Sequence, residues 1–241
     1  MFRPYLDALA DSAQIVYFDL PGHGRSPDPP DYSFAGMVQA IDSVRASLER
    51  QRVSLLGSSY GGFLALHYAL THPRNLEQLI LVDTAPSYGF REASLQAAKE
   101  RATPAMLAAL QRLWDDSLVD DEDFRAAWRE LLPLYFHALD HTAVRSLADA
   151  GKYRLATRRR ILPEFASYDL RDRLHEIVAP TLIVAGRHDW ITAIEQAQTL
   201  HDGIRHSELA IFENSGHYPF IEEPARFSQV VRSFLQRTVR A

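Results

Sequence analysis

Cysteine is absent from all 241 residues of the chain. That excludes disulfides, thiolate metal sites and a cysteine nucleophile, and it suits a reducing compartment. A basic excess is missing too: the formal net charge is −5, which offers no electrostatic footprint for nucleic acid. No apolar run is long enough to span a membrane. The opening stretch, "MFRPYLDALADS", lacks the charged start, apolar middle and small-residue cleavage site of a signal peptide. The expected location is therefore the cytoplasm. Internal repeats and low-complexity linkers are also absent. What is present, 46% hydrophobic and 24% charged residues, is ordinary for a soluble globular protein with a sizeable core. The length fits one large α/β domain or a domain with an insertion.

Residues 14–19 ("QIVYFD") read as a short buried strand, closed by the turn "LPGHGRS". Ser33 can cap a helix running to about residue 50. Residues 53–56 form the next expected strand, 62–70 a helix with Pro73 just beyond it, and 76–82 ("LEQLILV") another strand. Strands alternating with helices predict a mostly parallel sheet covered on both faces. From about residue 86 to 165 the alternation stops, and segments such as "MLAALQRLW" and "FRAAWRELLPLYF" read as helices. It resumes with strands at 181–185 and 208–212 and a last helix from Pro224. On that helix Phe227, Val230, Val231, Phe234 and Leu235 share one face, as core packing requires. The expected organisation is an α/β core of residues 1–85 and 166–241. A helical cap, residues 86–165, is inserted between two of its strands as a lid.

Between the strand at 53–56 and the helix at 62–70 stands "GSSYGG". Gly57-Ser58-Ser59-Tyr60-Gly61 fits G-x-S-x-G with Ser59 at its centre. A serine on a very tight strand-to-helix turn projects above the sheet, where substrate can reach it. Its backbone is strained, and flanking glycines avoid clashes with the adjoining strand and helix. The helix that follows directs its N-terminus at the serine, and the Tyr60 N–H can stabilise an oxyanion. Ser58 is a spacer in this pattern and has no required chemical role.

A serine hydroxyl needs a base, and the base needs an orienting carboxylate. Asp189 in "AGRHDW" follows the strand at 181–185, and His217 in "ENSGHYPF" follows the strand at 208–212. Both lie at carboxyl ends of strands, where open parallel sheets place their sites. The order Ser59, Asp189, His217, each at the right strand end, is hard to obtain by chance. Activity is expected to rise with pH as the histidine loses its proton, since only neutral imidazole can accept the serine proton.

With these motifs the chain resembles the α/β-hydrolase superfamily over nearly its whole length. "DLPGHGRS" is similar to that family's turn after the strand preceding the nucleophile strand pair. "GSSYGG", "GRHDW" and "ENSGHYPFIEEP" resemble the proline iminopeptidase-like branch more narrowly. The resemblance implies the α/β-hydrolase fold and a serine hydrolase working through an acyl-enzyme without cofactor or metal. It implies a small-molecule or short-peptide substrate, a small peptide or amide with N-terminal proline or another small residue. A carboxylesterase or lactonase is the alternative, and a non-catalytic binding protein on the same fold is the alternative of another class. Oligomeric state stays open. Members of the family carry an earlier strand ending in an "HGG"-type motif, whose loop supplies a second oxyanion N–H. These 241 residues contain no His-Gly-Gly before "DLPGHGRS". The resemblance therefore implies an N-terminally truncated chain of low stability and weak activity. The contrasting expectation is a minimal variant in which 14–19 pairs directly with 53–56.

Other residues invite blander readings. His137 and His141 are four apart, the spacing of one helical turn, but a surface pair is simpler than a metal site without a third ligand. His188 is expected to point away from Asp189, and His23 to be structural. The acids of "DDSLVDDED" (115–123) read as a solvated loop with helix caps. The functional reading of them, or of Glu130, is an anchor for a substrate amino group. "TRRR" (157–160) reads as a solvated or lid-anchoring face. Trp114, Trp128 and Tyr135 suit either an acyl pocket or helical packing.

Overall fold

The structure is a computed structural model that describes residues 3–138 and 141–238. After a short helix α1 (Arg3–Leu6), the elements run α2 (Phe34–Ser47), β1 (Val53–Ser58), α3 (Tyr60–Thr71) and β2 (Leu76–Val82). Five helices follow: α4 (Arg91–Arg101), α5 (Pro104–Trp114), α6 (Asp121–Leu131), α7 (His141–Ala150) and α8 (Leu155–Phe165). The chain closes with β3 (Thr181–Gly186), α9 (Ile194–Gly203), β4 (Ser207–Phe212), α10 (Pro219–Glu222) and α11 (Pro224–Thr238). Ser33 caps α2 as its sequence position suggests: its side chain accepts the Gly36 N–H.

Among the described residues the sheet has four parallel strands in the order β1-β2-β3-β4. Side chains alternate across it. Ile80, Val82, Leu182 and Val184 join Phe227, Val231 and Phe234 of α11 in one apolar cluster. Leu79, Leu81, Ile183 and Ala185 join residues of α2, α3 and α9 in a second. Each central strand is thus buried on both faces, which explains the apolar runs at 79–82 and 182–185. Parallel order also puts the carboxyl ends of all four strands on one edge, where Ser59, Asp83, Asp189 and His217 leave the sheet. No helix among the described residues is long and apolar enough to cross a membrane.

The expectation for 14–19 is overturned. These residues form no strand and pair neither with β1 nor with any other strand, and β1 is an edge of the sheet. Val16, Tyr17 and Phe18 are 41%, 38% and 39% exposed. An apolar run supplies side chains for a buried strand, but the ladder needs a neighbour with free N–H and C=O groups. Among the described residues no strand pairs with this segment. The turn after it does form. Gly22 and Gly24 take φ of 72° and 51°, Gly22 N–H donates to the Pro27 carbonyl and the Asp19 carboxylate accepts the Arg25 N–H. Only glycine enters that left-handed region without cost.

Candidate active site

Ser59 sits where β1 ends and α3 begins, with φ 53° and ψ −120°. Its N–H donates to the Val82 carbonyl at 3.0 Å, and its own carbonyl accepts the Gly62 N–H at 2.8 Å and the Thr84 hydroxyl at 2.9 Å. A strained serine is therefore held by backbone bonds on both sides, and its side chain is free to face a substrate. The glycines around it divide their work differently from what the motif suggests. A Cβ on Gly57 would lie 2.3 Å from the Gly61 carbonyl oxygen, and one on Gly62 would lie 2.4 Å from the Thr84 hydroxyl. A Cβ on Gly61 would meet nothing within 4 Å. The close approaches are at Gly57 and Gly62, and the clash expected at Gly61 is not found.

Tyr60 opens α3, so its N–H belongs to the first turn, where the helix offers no carbonyl partner. That leaves it free to donate to an anion beside Ser59. Its phenol points away into the core: the hydroxyl is buried without a partner among the described residues, and burial, then the Glu164 carboxylate, raises its pKa.

Asp189 and His217 are 5% and 2% exposed and meet directly, Oδ2 to Nδ1 at 2.7 Å. Asp189 Oδ2 also accepts the Thr192 hydroxyl at 2.7 Å, and Oδ1 accepts the Ile191 N–H at 2.9 Å. Burial opposes ionisation of this carboxyl, but His217 and these donors outweigh it and hold its pKa below the usual range. An ionised acid there fixes the proton of the imidazole on Nδ1 and leaves Nε2 as the basic atom. Among the described residues no hydrogen bond joins Ser59 Oγ to His217. Bonds of this kind are often long before substrate binds.

The α/β hydrolase fold family matches residues 1–224 of the sequence. The chain belongs to the α/β-hydrolase family. Within it the chain falls in the proline iminopeptidase-like branch. It is 31% identical over 235 residues to the proline iminopeptidase PfmaB of Pestalotiopsis fici, covering 95% of this chain and 84% of that one. It is 27% identical over 250 residues to the proline iminopeptidase of Saccharolobus solfataricus, covering 97% and 80%. Among solved structures, an esterase from Exiguobacterium antarcticum superposes with a TM-score of 0.80 at 24% identity, covering 98% of this chain and 86% of its own.

The loop of this α/β hydrolase that carries His217 is held by groups the motifs do not announce. Glu222 Oε2 accepts the Gly216 N–H at 2.6 Å, and Oε1 accepts the N–H groups of His137 and Ala138 at 2.8 and 3.1 Å. Glu223 Oε2 accepts from Asn214 N–H and the Ser215 hydroxyl. The His217 N–H donates to the Tyr135 carbonyl at 2.7 Å, and the Tyr135 ring stands edge-on to the imidazole, 5.2 Å between centroids. Tyr135 ends the short turn Leu132–Tyr135 after α6, so the helical block touches His217 directly. The two acids of "FIEEP" were the available signal in the sequence; Tyr135 had none beyond being aromatic.

The other candidates make the following contacts within the fold. His137 lies outside the helix that begins at His141, so the two are not one helical turn apart. It stacks on His188 instead, 3.6 Å between ring centroids. His23 bonds the Pro21 carbonyl. Asp120 caps α6, Asp123 pairs with Arg112, and Asp116 pairs with Arg158 and Arg159. Arg159 also reaches the Leu118 carbonyl and Thr157 the Gly22 carbonyl. The acidic run and the arginine run therefore hold each other and tie the helical block together. Trp128 packs 5.2 Å from the Tyr135 ring, and Trp114 lies under the Arg91 guanidinium. Two surface cavities, one lined by Val119, Asp120, Leu155 and Arg159 and one by Tyr88, Phe165 and Arg171, include none of Ser59, Asp189 and His217.

Gly186, the last residue of β3, has no room for a side chain. A Cβ there would lie 1.8 Å from the Gly216 carbonyl oxygen and 2.7 Å from that of Ser215. Gly186→Ala is expected to push the His217 loop away from Asp189. The loss should be about 1–3 kcal/mol of stability, typical of overpacking, with a fall in activity beyond it. Denaturant melts and turnover measured on the same sample check both parts.

Proposed function

We propose that this hydrolase acts through Ser59, His217 and Asp189 and forms an acyl-enzyme. Ser59 Oγ attacks the carbonyl carbon of an amide or ester while His217 Nε2 takes its proton. Asp189 stabilises the imidazolium without accepting the proton. The Tyr60 N–H, at the N-terminus of α3, faces the oxyanion. His217 returns the proton to the leaving amine or alcohol, and water then releases the acyl group by the same steps. The observation that carries this reading is the buried 2.7 Å Asp189–His217 contact, on the same sheet edge as a serine held at φ 53°. A binding protein has no use for a strained serine and a buried acid–base pair together.

The proposed substrate is a small peptide or amide with N-terminal proline or another small residue, on the similarity to two proline iminopeptidases. The helical block, residues 86–165, acts in this reading as the lid that covers Ser59 and selects substrate. Its support is the placement of Tyr135 against His217. A panel of proline and alanine arylamides against short-chain aryl esters tests the substrate class. Proline arylamide is expected to give the highest kcat/KM. Turnover of esters alone would replace this substrate with a carboxylic ester or lactone while keeping the mechanism.

A further inference from the structure

β2 lies between the strand that carries Ser59 and the strand that leads to Asp189. Two consecutive polar residues leave its end, Asp83 and Thr84, each 2% exposed. They reach in opposite directions. The Thr84 hydroxyl donates to the Ser59 carbonyl at 2.9 Å, and its side chain fills the space against Gly62. Asp83 Oδ1 accepts the Gly186 N–H at 2.8 Å, and the Asp83 N–H donates to the Val184 carbonyl at 2.9 Å. Gly186 in turn abuts Ser215 and Gly216, immediately before His217. Asp83 takes φ 43° to do this, a left-handed conformation unfavourable to residues other than glycine, although aspartate tolerates it better than most.

We propose that Asp83 and Thr84 are positioning residues, a two-armed brace that sets the Ser59 turn against the Asp189–His217 loops. The proposal rests on the serine mechanism above and goes beyond it by naming what fixes the nucleophile relative to its base. Ser59 and the acid–base pair come from strands that do not touch each other, so their spacing is set by what leaves the strand between them. A displacement of about 1 Å at such a centre can cost on the order of 10²-fold in rate.

The acid arm works in its neutral form. Asp83 is buried, and its Oδ2 has no partner among the described residues. Burial first, then the Asp189 carboxylate and more weakly Glu222, raise its pKa well above the carboxylate range, against the Gly186 N–H. The groups facing it are Asp189 after β3, Glu222 on α10 and the phenol of Tyr218, which is itself raised mainly by burial. A neutral acid can accept from Gly186 through its carbonyl oxygen without setting a second anion beside the Asp189 carboxylate. Loss of that proton at alkaline pH should therefore depress the rate. Asparagine, which has the shape of the neutral acid and no proton to lose, should not show this limb.

The test uses the full chain, background-corrected hydrolysis of p-nitrophenyl acetate, and circular dichroism to verify folding. Thr84→Val is expected to lower kcat by about 10²-fold with little change in KM, and Thr84→Ser to recover most of the loss. The native chain is expected to lose rate on the alkaline side, and Asp83→Asn to lack that limb. A folded Thr84→Val with native kcat overturns the brace, as does an Asp83→Asn profile that overlays the native one, or a native profile without an alkaline limb. Fluorophosphonate labelling of Ser59 in the native chain keeps the two readings apart. Labelling with an ineffective Thr84→Val removes the brace alone, whereas failure to label removes the serine mechanism.

Discussion

Replacing Ser59 with alanine is expected to lower kcat by roughly 10⁶-fold, the loss that follows removal of a triad serine. Circular dichroism should not change. The hydroxyl makes no hydrogen bond among the described residues, and the turn is held through the Ser59 N–H and carbonyl, which alanine keeps. Ser59→Gly should be as inactive and more stable than either. A non-glycine residue at φ 53°, ψ −120° stores strain of about 1–3 kcal/mol, and glycine releases it. Ser58→Ala is the control: Ser58 ends β1, before the elbow, and its loss should cost little. Equal losses in Ser58→Ala and Ser59→Ala would end the assignment of Ser59. Melting curves in which Ser59→Gly is no more stable than Ser59→Ala would remove strain from the account.

The two central strands were legible because they are buried on both faces and so carry apolar runs, and the edge strands β1 and β4 because apolar stretches follow one polar, exposed position in each. The run at 14–19 has the same composition and forms nothing regular. A strand depends on a partner elsewhere in the chain, and side-chain pattern does not report the partner. The positions of Ser59, Asp189 and His217 on the sheet edge were legible for a different reason. Each follows a strand directly, so local sequence fixes its place on the sheet edge. Glu222, Tyr135, Asp83 and Thr84 were not, because their roles exist only across elements far apart in sequence. Asp83 and Thr84 look like an ordinary strand end until β1 and β3 stand on either side. Gly61 and Gly62 make the same point at short range: the motif draws the eye to Gly61, and the contact with Thr84 falls on Gly62.

Asp189→Asn is expected to lower kcat by about 10⁴-fold, as follows when a triad base is held in the wrong tautomer. The reason lies in the donors around the carboxylate. Oδ2 receives the His217 Nδ1 proton and the Thr192 hydroxyl, and Oδ1 receives the Ile191 N–H. An asparagine can satisfy every neighbour in one orientation. Its carbonyl accepts from Ile191, while its amide donates to His217 Nδ1 and to the Thr192 oxygen. That orientation places the histidine proton on Nε2, the atom that must accept from Ser59. The opposite orientation sets the amide against the Ile191 N–H, two buried donors facing each other, which is costly. Satisfaction of the buried polar groups therefore selects the inactive tautomer. The fold should survive, because no buried charge is left unpaired. Its acid response should change as well. Asp189 is held below the usual carboxylate range, so in the native chain it contributes stability above the unfolded value of about 3.9, lost as pH falls through its lower folded value. Asparagine has no such term, and melts taken between neutral pH and about pH 3 should fall less steeply for the variant. Turnover by Asp189→Asn within tenfold of the native rate would show that another carboxyl orients His217, and Asp83, at the end of the neighbouring strand, would then be the first to replace.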